Sequence, residues 1–252
     1  MLVKILKAIK NLFSYFGIEI GLISHRDQDM ITDETFNRIY SKCEKYTMTS
    51  KERMFSLYLS VKYVLKNNIL GDFVECGVWR GGSTMLIAYT LKELNETNRK
   101  IYLYDTFEGM TRPGENDHRL SDNNIKAFTE WKNNQKDLKN NWCYASIEEV
   151  KNNMERTEYP IQNFFFIKGK VEDTIPNTMP NKISILRLDT DWYESTKHEL
   201  NYLYPKLELS GVLIIDDYGY WAGAKMAVDE YFSDKKILLN RIDTTGRIAV
   251  KN

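Results

Sequence analysis

From residue 73 onward, short apolar runs alternate with segments that carry apolar residues at helical spacing. The runs are rich in β-branched and aromatic residues and are nearly continuous in apolar character, which is typical of strands buried on both faces of a parallel sheet. Five such strands are therefore predicted, at Phe73 to Val78, Ile101 to Thr106, Phe164 to Gly169, Ile183 to Asp189 and Val212 to Asp217.

Helix-like segments lie between or after several of these runs, at Ser83 to Leu94, Ile147 to Met154, Trp192 to Leu207 and Ala224 to Phe232. Repeated strand-helix-strand order predicts a doubly wound α/β fold. Two last runs, Ile237 to Ile242 and Arg247 to Lys251, flank a turn and predict an antiparallel hairpin on the sheet edge. The expected sheet thus has seven strands and is mostly parallel.

The first 70 residues have a different, helical pattern, so we expect an N-terminal helical extension (1–70) before the main domain (71–252). Residues 1–21 predict a basic amphipathic helix. Its apolar face could pack against the rest of the chain, against a second subunit or on an anionic membrane surface. Lysines interrupt its apolar stretch, so the pattern does not predict a signal peptide. Residues 32–69 predict two helices, the second opened by a capping box of Thr49 and Glu52.

Composition excludes several classes of protein. The 252 residues carry 35 basic and 35 acidic side chains, so the chain lacks the cationic excess of a general nucleic-acid binder. Hydrophobic residues make up 42%, enough to fill a globular core. The three cysteines are widely spaced and predict neither disulfides nor a zinc site, which favours a cytoplasmic protein. No apolar run is long enough to cross a membrane.

The chemistry is expected where the strands end, because ligands of such sheets bind beyond the carboxyl ends of their strands. The first strand runs through Glu75 and Gly77 into a glycine-rich turn that ends at Ser83, a candidate anion-binding or cofactor loop. Its ExGxxxGG spacing differs from the GxGxxG of nicotinamide and flavin enzymes. Asp105 ends the second strand, 23 residues after Gly82, where an acidic residue suits the ribose of a nucleoside.

Three further carboxylates end the fourth and fifth strands: Asp189, Asp216 and Asp217. If these strands are neighbours, the three side chains converge, and clustered carboxylates favour a hard divalent cation such as Mg²⁺. Asp191 has a different expected role, because Asp followed by Glu194 three positions later is an N-capping pattern.

Other polar and aromatic residues are less specific. The segment Thr111 to Asn141 is long and polar, so it is either partly helical or a lid over the active face. Aromatic residues near the strand ends can fill the core, or form flat walls for a sugar ring or an adenine. They are Trp79, Trp192, Tyr218, Tyr220 and Trp221.

Four ordered blocks, at residues 73–83, 104–110, 186–196 and 214–224, together resemble the macrocin O-methyltransferase family. The resemblance implies a Rossmann-like class I methyltransferase that uses S-adenosylmethionine and Mg²⁺ to modify a sugar hydroxyl on a small molecule or glycan. It implies that Glu75, Gly77 and Ser83 belong to the cofactor loop and that Asp105 holds the ribose. Asp189, Asp216 and Asp217 then correspond to the metal ligands, with Asp189 also accepting the hydroxyl proton.

Two other functions compete with this reading. The Asp189-Thr190-Asp191 sequence also suits a metal-dependent glycosyltransferase that uses a nucleotide-sugar. A noncatalytic scaffold docked on a membrane through residues 1–21 is the other alternative. For the methyltransferase we expect a homo-oligomer that binds no nucleic acid.

Overall fold

The computed structural model describes Ile9, Phe13 and residues 28–137 and 139–252, with the backbone alone over residues 122–126. The chain forms two compact units, residues 1–38 and 39–252. The basic helix predicted over residues 1–21 lies outside the described residues, except for Ile9 and Phe13, which are helical and exposed. Within the described ranges, no helix is both long and apolar enough to cross a membrane.

The predicted helices and strands occur in the predicted order, and further short elements lie between them. The helices are α1 (Gln28–Thr32), α2 (Glu34–Cys43), α3 (Lys51–Lys66), α4 (Gly82–Glu93), α5 (Ala127–Asn134), α6 (Ile147–Glu155), α7 (Val171–Thr174), α8 (Tyr193–Tyr202) and α9 (Ala222–Phe232). The strands are β1 (Asp72–Cys76), β2 (Ile101–Asp105), β3 (His118–Arg119), β4 (Asp122–Lys126), β5 (Gln135–Lys136), β6 (Lys139–Asn140), β7 (Phe164–Lys168), β8 (Ile183–Leu188), β9 (Leu207–Ile215), β10 (Asn240–Arg241) and β11 (Arg247–Val250).

The main sheet has the strand order β10-β11-β9-β8-β1-β2-β7, which confirms the seven-stranded doubly wound prediction. Strands β9, β8, β1, β2 and β7 are parallel, and β10 and β11 form the predicted antiparallel hairpin at one edge. The apolar runs explain this arrangement, since every residue of β8 is buried and helices cover the sheet. The carboxyl ends of β1, β8 and β9 therefore meet at one edge.

Two local predictions were wrong. The helix expected over residues 192–207 ends at Tyr202, because Pro205 has no amide hydrogen to continue it, and β9 already begins at Leu207. Helix α3 is capped by Ser50 and not by Thr49: the Ser50 hydroxyl accepts a hydrogen bond from the Arg53 amide. Helix α3 packs against α4, β8 and β9.

The polar segment 111–141 is folded, with two short antiparallel strand pairs and α5. Two indole N–H groups hold it at its base: that of Trp192 donates to the carbonyl of Thr111, and that of Trp131 donates to the carbonyl of Met110. Arg119 in β3 also forms an isolated antiparallel bridge with Trp221, which precedes α9. These contacts place the segment beside the carboxyl edge of the sheet.

Candidate metal and cofactor site

Three carboxylates meet at the carboxyl edge of the sheet. Asp189 directly follows β8, and Asp216 and Asp217 directly follow β9, its parallel neighbour. One carboxylate oxygen of each lies within 4.8 Å of the others. The convergence predicted from the strand ends is therefore present, and its donor set consists of oxygen atoms, which Mg²⁺ prefers.

A buried arginine that the sequence pattern did not single out lies beside these carboxylates. Arg187 belongs to β8, and its guanidinium is 2.8 Å from Asp189, 2.6 Å from Asp216 and 2.6 Å from Glu75 of β1. Burial disfavours its charge, but the three carboxylates together raise the pKa of Arg187 well above its usual value. The charged guanidinium thus joins β1, the strand before the glycine-rich turn, to the carboxylate cluster.

The start of α3 supplies a second set of partners. Arg53 forms ion pairs with Asp216 and with Asp243, which lies in the turn of the β10–β11 hairpin. The Thr49 hydroxyl accepts a hydrogen bond from Arg187 at 2.8 Å, and the Ser50 hydroxyl donates to Asp243 at 2.6 Å. Residues before the predicted methyltransferase domain therefore help to build the site.

Burial and neighbouring charges shift the pKa values of two carboxyl groups in the cluster. Burial raises the pKa of the Asp189 carboxyl well above its usual range, although the Arg187 charge opposes this shift. Burial also raises the pKa of Asp217, and the neighbouring charges of Asp191 and Asp216 add to the effect. Among the described residues, no donor reaches the buried Oδ2 of Asp217. An unpaired buried carboxylate oxygen is costly, so this atom favours an added cation.

The glycine-rich turn after β1 approaches the cluster closely. Gly77 has a φ of 82°, and a Cβ at this position would overlap the carbonyl oxygen of Asp189. The Asp189 amide in turn donates to the carbonyl of Cys76 at 2.8 Å. Only glycine combines this backbone conformation with so close an approach, so the turn is fixed against the carboxylate cluster.

Glu75 is fully buried beneath this turn. Its carboxylate accepts hydrogen bonds from the hydroxyls of Ser83 and Thr84 at the start of α4, and it pairs with Arg187. Ser83 itself lines the adjoining cavity. The Glu75 carboxylate is thus committed to protein partners, and it holds the Ser83 side chain in place.

Asp105 lies at the end of β2, on the other side of the same turn. Its Oδ2 accepts hydrogen bonds from the amides of Val78 at 2.7 Å and Trp79 at 3.0 Å, and its Oδ1 accepts one from the amide of Phe107 at 2.7 Å. Burial raises its pKa, while these donors favour the charged form. Asp105 therefore orders the glycine-rich turn and also lines the cavity.

Asp191 does not cap α8, so that prediction was wrong. Asp191 takes a left-handed conformation, with a φ of 69°, and lines the cavity. The amide of Tyr193 at the start of α8 donates instead to Asp117, 2.9 Å away in the polar segment. The sequence spacing was correct for a local cap, but a residue distant in sequence provides the hydrogen-bond acceptor.

A cavity of about 430 Å³ opens beside the carboxylates. A second, smaller cavity of about 60 Å³ shares Gly77, Asp105 and Asp189 with the first. Of the five aromatic residues considered from sequence, Trp79, Tyr220 and Trp221 line the larger cavity, whereas Trp192 belongs to a buried cluster. Trp142, which the sequence did not single out, also lines the cavity and packs edge to face with Trp192 and Trp221. Together the cavities can take a flat, partly apolar ligand that reaches the carboxylates.

Comparison with known proteins agrees with this geometry. A model of the macrocin-O-methyltransferase (TylF) family matches residues 35–250. The chain is 33% identical over 203 residues to the 8-demethyl-8-(2,3-dimethoxy-alpha-L-rhamnosyl)-tetracenomycin-C 4'-O-methyltransferase of Streptomyces olivaceus, a match that covers 80% of this chain and 74% of that protein. It is 32% identical over 201 residues to the demethyldecarbamoylnovobiocin O-methyltransferase of Streptomyces niveus, covering 78% and 73%.

Among solved structures, the O-methyltransferase NovP superposes with a TM-score of 0.72 at 32% identity, over 82% of each chain. The sheet and the site at its carboxyl edge thus define a Rossmann-like class I methyltransferase. More specifically, the chain belongs to the macrocin-O-methyltransferase family and is an O-methyltransferase. This identification excludes both the glycosyltransferase and the noncatalytic scaffold.

Proposed function

We propose that the protein transfers the methyl group of S-adenosylmethionine to a hydroxyl of a sugar or glycoside, with Mg²⁺ held by Asp189, Asp216 and Asp217. The observation that carries the proposal is the meeting of these carboxylates beside the glycine-rich turn, within one cavity. The relatives support the acceptor class, because the Streptomyces olivaceus enzyme is named for a rhamnosyl substrate.

The residues present fit a divalent cation. All three ligands offer carboxylate oxygens, and the Oδ2 of Asp217 has no donor among the described residues. Arg53 and Arg187 already neutralise part of the negative charge, so the cluster can remain assembled before a cation binds. When bound, Mg²⁺ increases the acidity of a hydroxyl that it coordinates.

The residues around the turn also fit the methyl donor. Gly77, Ser83 and Asp105 line the cavity, and we assign them to its binding, whereas Glu75 acts indirectly by holding Ser83. Asp105 keeps the turn in its binding conformation through the amides of Val78 and Trp79. When bound, S-adenosylmethionine supplies an electrophilic methyl group on a sulfonium cation, which the surrounding carboxylates attract.

Asp189 is the residue placed to take the proton of the acceptor hydroxyl. Its side chain is 27% exposed, in contrast to the buried Glu75 and Asp216, and it lines both cavities. The ion pair with Arg187 fixes the orientation of this carboxylate, and an oxygen that faces the cavity can accept a proton. The reaction yields an ether, a thioether and a proton, and Asp189 receives that proton.

We also propose that aromatic residues that line the larger cavity, Trp142 and Trp221 among them, limit the access of water. Trp192 and Trp221 are almost fully buried, and Trp142 packs against both. A dry cavity holds donor and acceptor in line and strengthens the electrostatic interactions within it.

The experiment is to incubate the protein with methyl-labelled S-adenosylmethionine and a panel of glycosides, with Mg²⁺ or with excess chelator. We expect label on a sugar hydroxyl with Mg²⁺, and its loss with chelator. Label on a nonsugar acceptor alone would contradict the acceptor class, and full transfer in chelator would contradict the role of the cation.

A further inference from the structure

Arg119 and Glu130 form an ion pair in the wall of the large cavity, apart from the carboxylate cluster. Arg119 lies in β3 and Glu130 in α5, and Arg119 Nη2 is 2.9 Å from Glu130 Oε2. Both residues line the cavity that also contains Asp189, Asp216 and Asp217. The side chains are 29% and 37% exposed, so a ligand in the cavity can reach them.

Arg119 of this pair has a hydrogen-bond donor without a protein acceptor among the described residues. Arg119 Nε is buried, and among the described residues no acceptor lies within hydrogen-bond distance of it. The guanidinium carbon lies 5.6 Å from the ring centre of Tyr220 and 6.0 Å from that of Trp221, and these rings hold it in place. A buried donor without a partner is costly, so an oxygen of a bound ligand is the natural acceptor.

The charge around the cavity restricts the ligand that can supply this oxygen. Carboxylates outnumber guanidinium groups in the lining: the carboxylates are Asp105, Glu130, Asp189, Asp191, Asp216 and Asp217, and the guanidinium groups are Arg53 and Arg119. Both arginines already pair with a carboxylate. Beside Arg119, a ligand carboxylate or phosphate would also meet the like charge of Glu130, whereas a hydroxyl would not.

A sugar diol matches both members of the pair. Each hydroxyl can accept one hydrogen bond and donate another, so one can accept from Arg119 while its neighbour donates to Glu130. We propose that Arg119 and Glu130 bind hydroxyls of the acceptor sugar other than the one that is methylated, and that this sugar is uncharged. This inference rests on the proposed function, and it restricts the acceptor from any sugar or glycoside to an uncharged sugar.

The test measures the binding of methyl β-D-glucopyranoside, methyl β-D-galactopyranoside and methyl α-D-mannopyranoside to the protein loaded with S-adenosylhomocysteine, by saturation-transfer NMR. The glucuronic acid analogue of the glucoside is the charged counterpart. We expect at least one neutral glycoside to bind more tightly than the glucuronide. Tighter binding of the glucuronide, or no binding of any neutral glycoside, overturns the inference.

Three variants separate recognition from a structural role. Arg119→Met and Glu130→Gln should each weaken binding of the neutral glycoside by about tenfold, while S-adenosylhomocysteine affinity stays the same. Arg119→Lys keeps a positive charge for Glu130 but removes the planar Nε–H donor, so it should also lose glycoside affinity. Lys132→Met, an exposed change on the same helix, should have no effect.

If Arg119→Lys binds the glycoside as the wild type does, the pair serves only to join β3 to α5 and the inference is wrong. It is equally wrong if the variants lose S-adenosylhomocysteine affinity and thermal stability in proportion to glycoside affinity. Failure of the proposed function looks different: the wild type would then not bind S-adenosylhomocysteine at all, a result that the same samples report directly.

Discussion

The guanidinium of Arg187 lies 2.6 Å from the carboxylate of Glu75, and both side chains are almost completely buried. Arg187→Met would leave Glu75 and Asp216 without this buried counter-charge. Removal of one partner from a buried ion pair is strongly destabilising, so we expect the free energy of unfolding to fall by about 3–5 kcal/mol. Urea denaturation measures this difference.

The control is Arg80→Met, which breaks the ion pair of Arg80 with Glu149. That pair is more than one-third exposed on both sides, so its loss should cost less than about 1 kcal/mol. Equal losses in the two variants would show that the Arg187 network does not stabilise the sheet edge.

Gly77→Ala tests the close approach between the glycine-rich turn and the backbone of Asp189. The added Cβ would overlap the carbonyl oxygen of Asp189, and alanine disfavours the φ of 82°. We expect the free energy of unfolding to fall by at least about 2 kcal/mol, together with weaker binding of S-adenosylhomocysteine. Differential scanning calorimetry and a binding titration measure the two effects.

Gly114→Ala is the matched control, because the nearest atom to its added Cβ is a carboxylate oxygen of Asp117 at 3.4 Å. Its stability should stay within about 1 kcal/mol of the wild type. A Gly77→Ala variant as stable as this control would contradict the tight contact.

Much of the site could be predicted from sequence because strand ends carry a clear signal. A buried parallel strand reads as an apolar run, and the polar residues that follow it, such as Asp105, Asp189 and Asp216, must lie at the carboxyl edge. Because β8 and β9 are parallel neighbours, Asp189 and Asp216 lie close together. The fold class and the convergence of the carboxylates follow from this rule.

The partners of those carboxylates were missed because they lie far away in sequence. Arg187 did give a signal, since a charged residue between Leu186 and Leu188 in a buried strand requires an opposite charge. Arg53 gave none, because its ion pairs with Asp216 and Asp243 depend on how α3 packs. Local spacing alone could not reveal these tertiary contacts.

Asp243 makes the link between α3 and the hairpin dependent on pH. Burial alone would raise its pKa, but the Ser50 hydroxyl, the backbone amides of Gly246 and Thr245 and the Arg53 charge outweigh burial, and the pKa is lowered. A lowered carboxyl pKa gives stability that is present above the unfolded value, about 3.9, and is lost as the pH falls through the folded value.

The difference in unfolding free energy between wild type and Asp243→Asn should therefore be largest near neutral pH and shrink as the pH falls below about 4. Urea denaturation over a pH series measures it. A difference that stays constant, or grows in acid, would show that the Asp243 charge contributes nothing to the link.

Asp189→Asn tests the proton acceptor of the proposed reaction. The amide cannot take the hydroxyl proton, so kcat should fall by about a hundredfold or more. The affinity for S-adenosylhomocysteine should change little, because the side chain of Asp189 is not among the residues assigned to its binding. Asp234→Asn, a change at an exposed carboxylate, is the control for both measurements. Equal losses of kcat and of S-adenosylhomocysteine affinity would argue against the proton-acceptor role.

Calorimetric titration of Mg²⁺ into the wild type, Asp217→Asn and Asp234→Asn measures the metal site itself. The convergence of Asp189, Asp216 and Asp217 predicts one Mg²⁺ per wild-type chain and the same affinity in Asp234→Asn. It predicts an affinity at least about tenfold lower in Asp217→Asn, which loses a ligand charge. Absence of Mg²⁺ binding in the wild type, or equal affinity in all three proteins, would contradict the metal site.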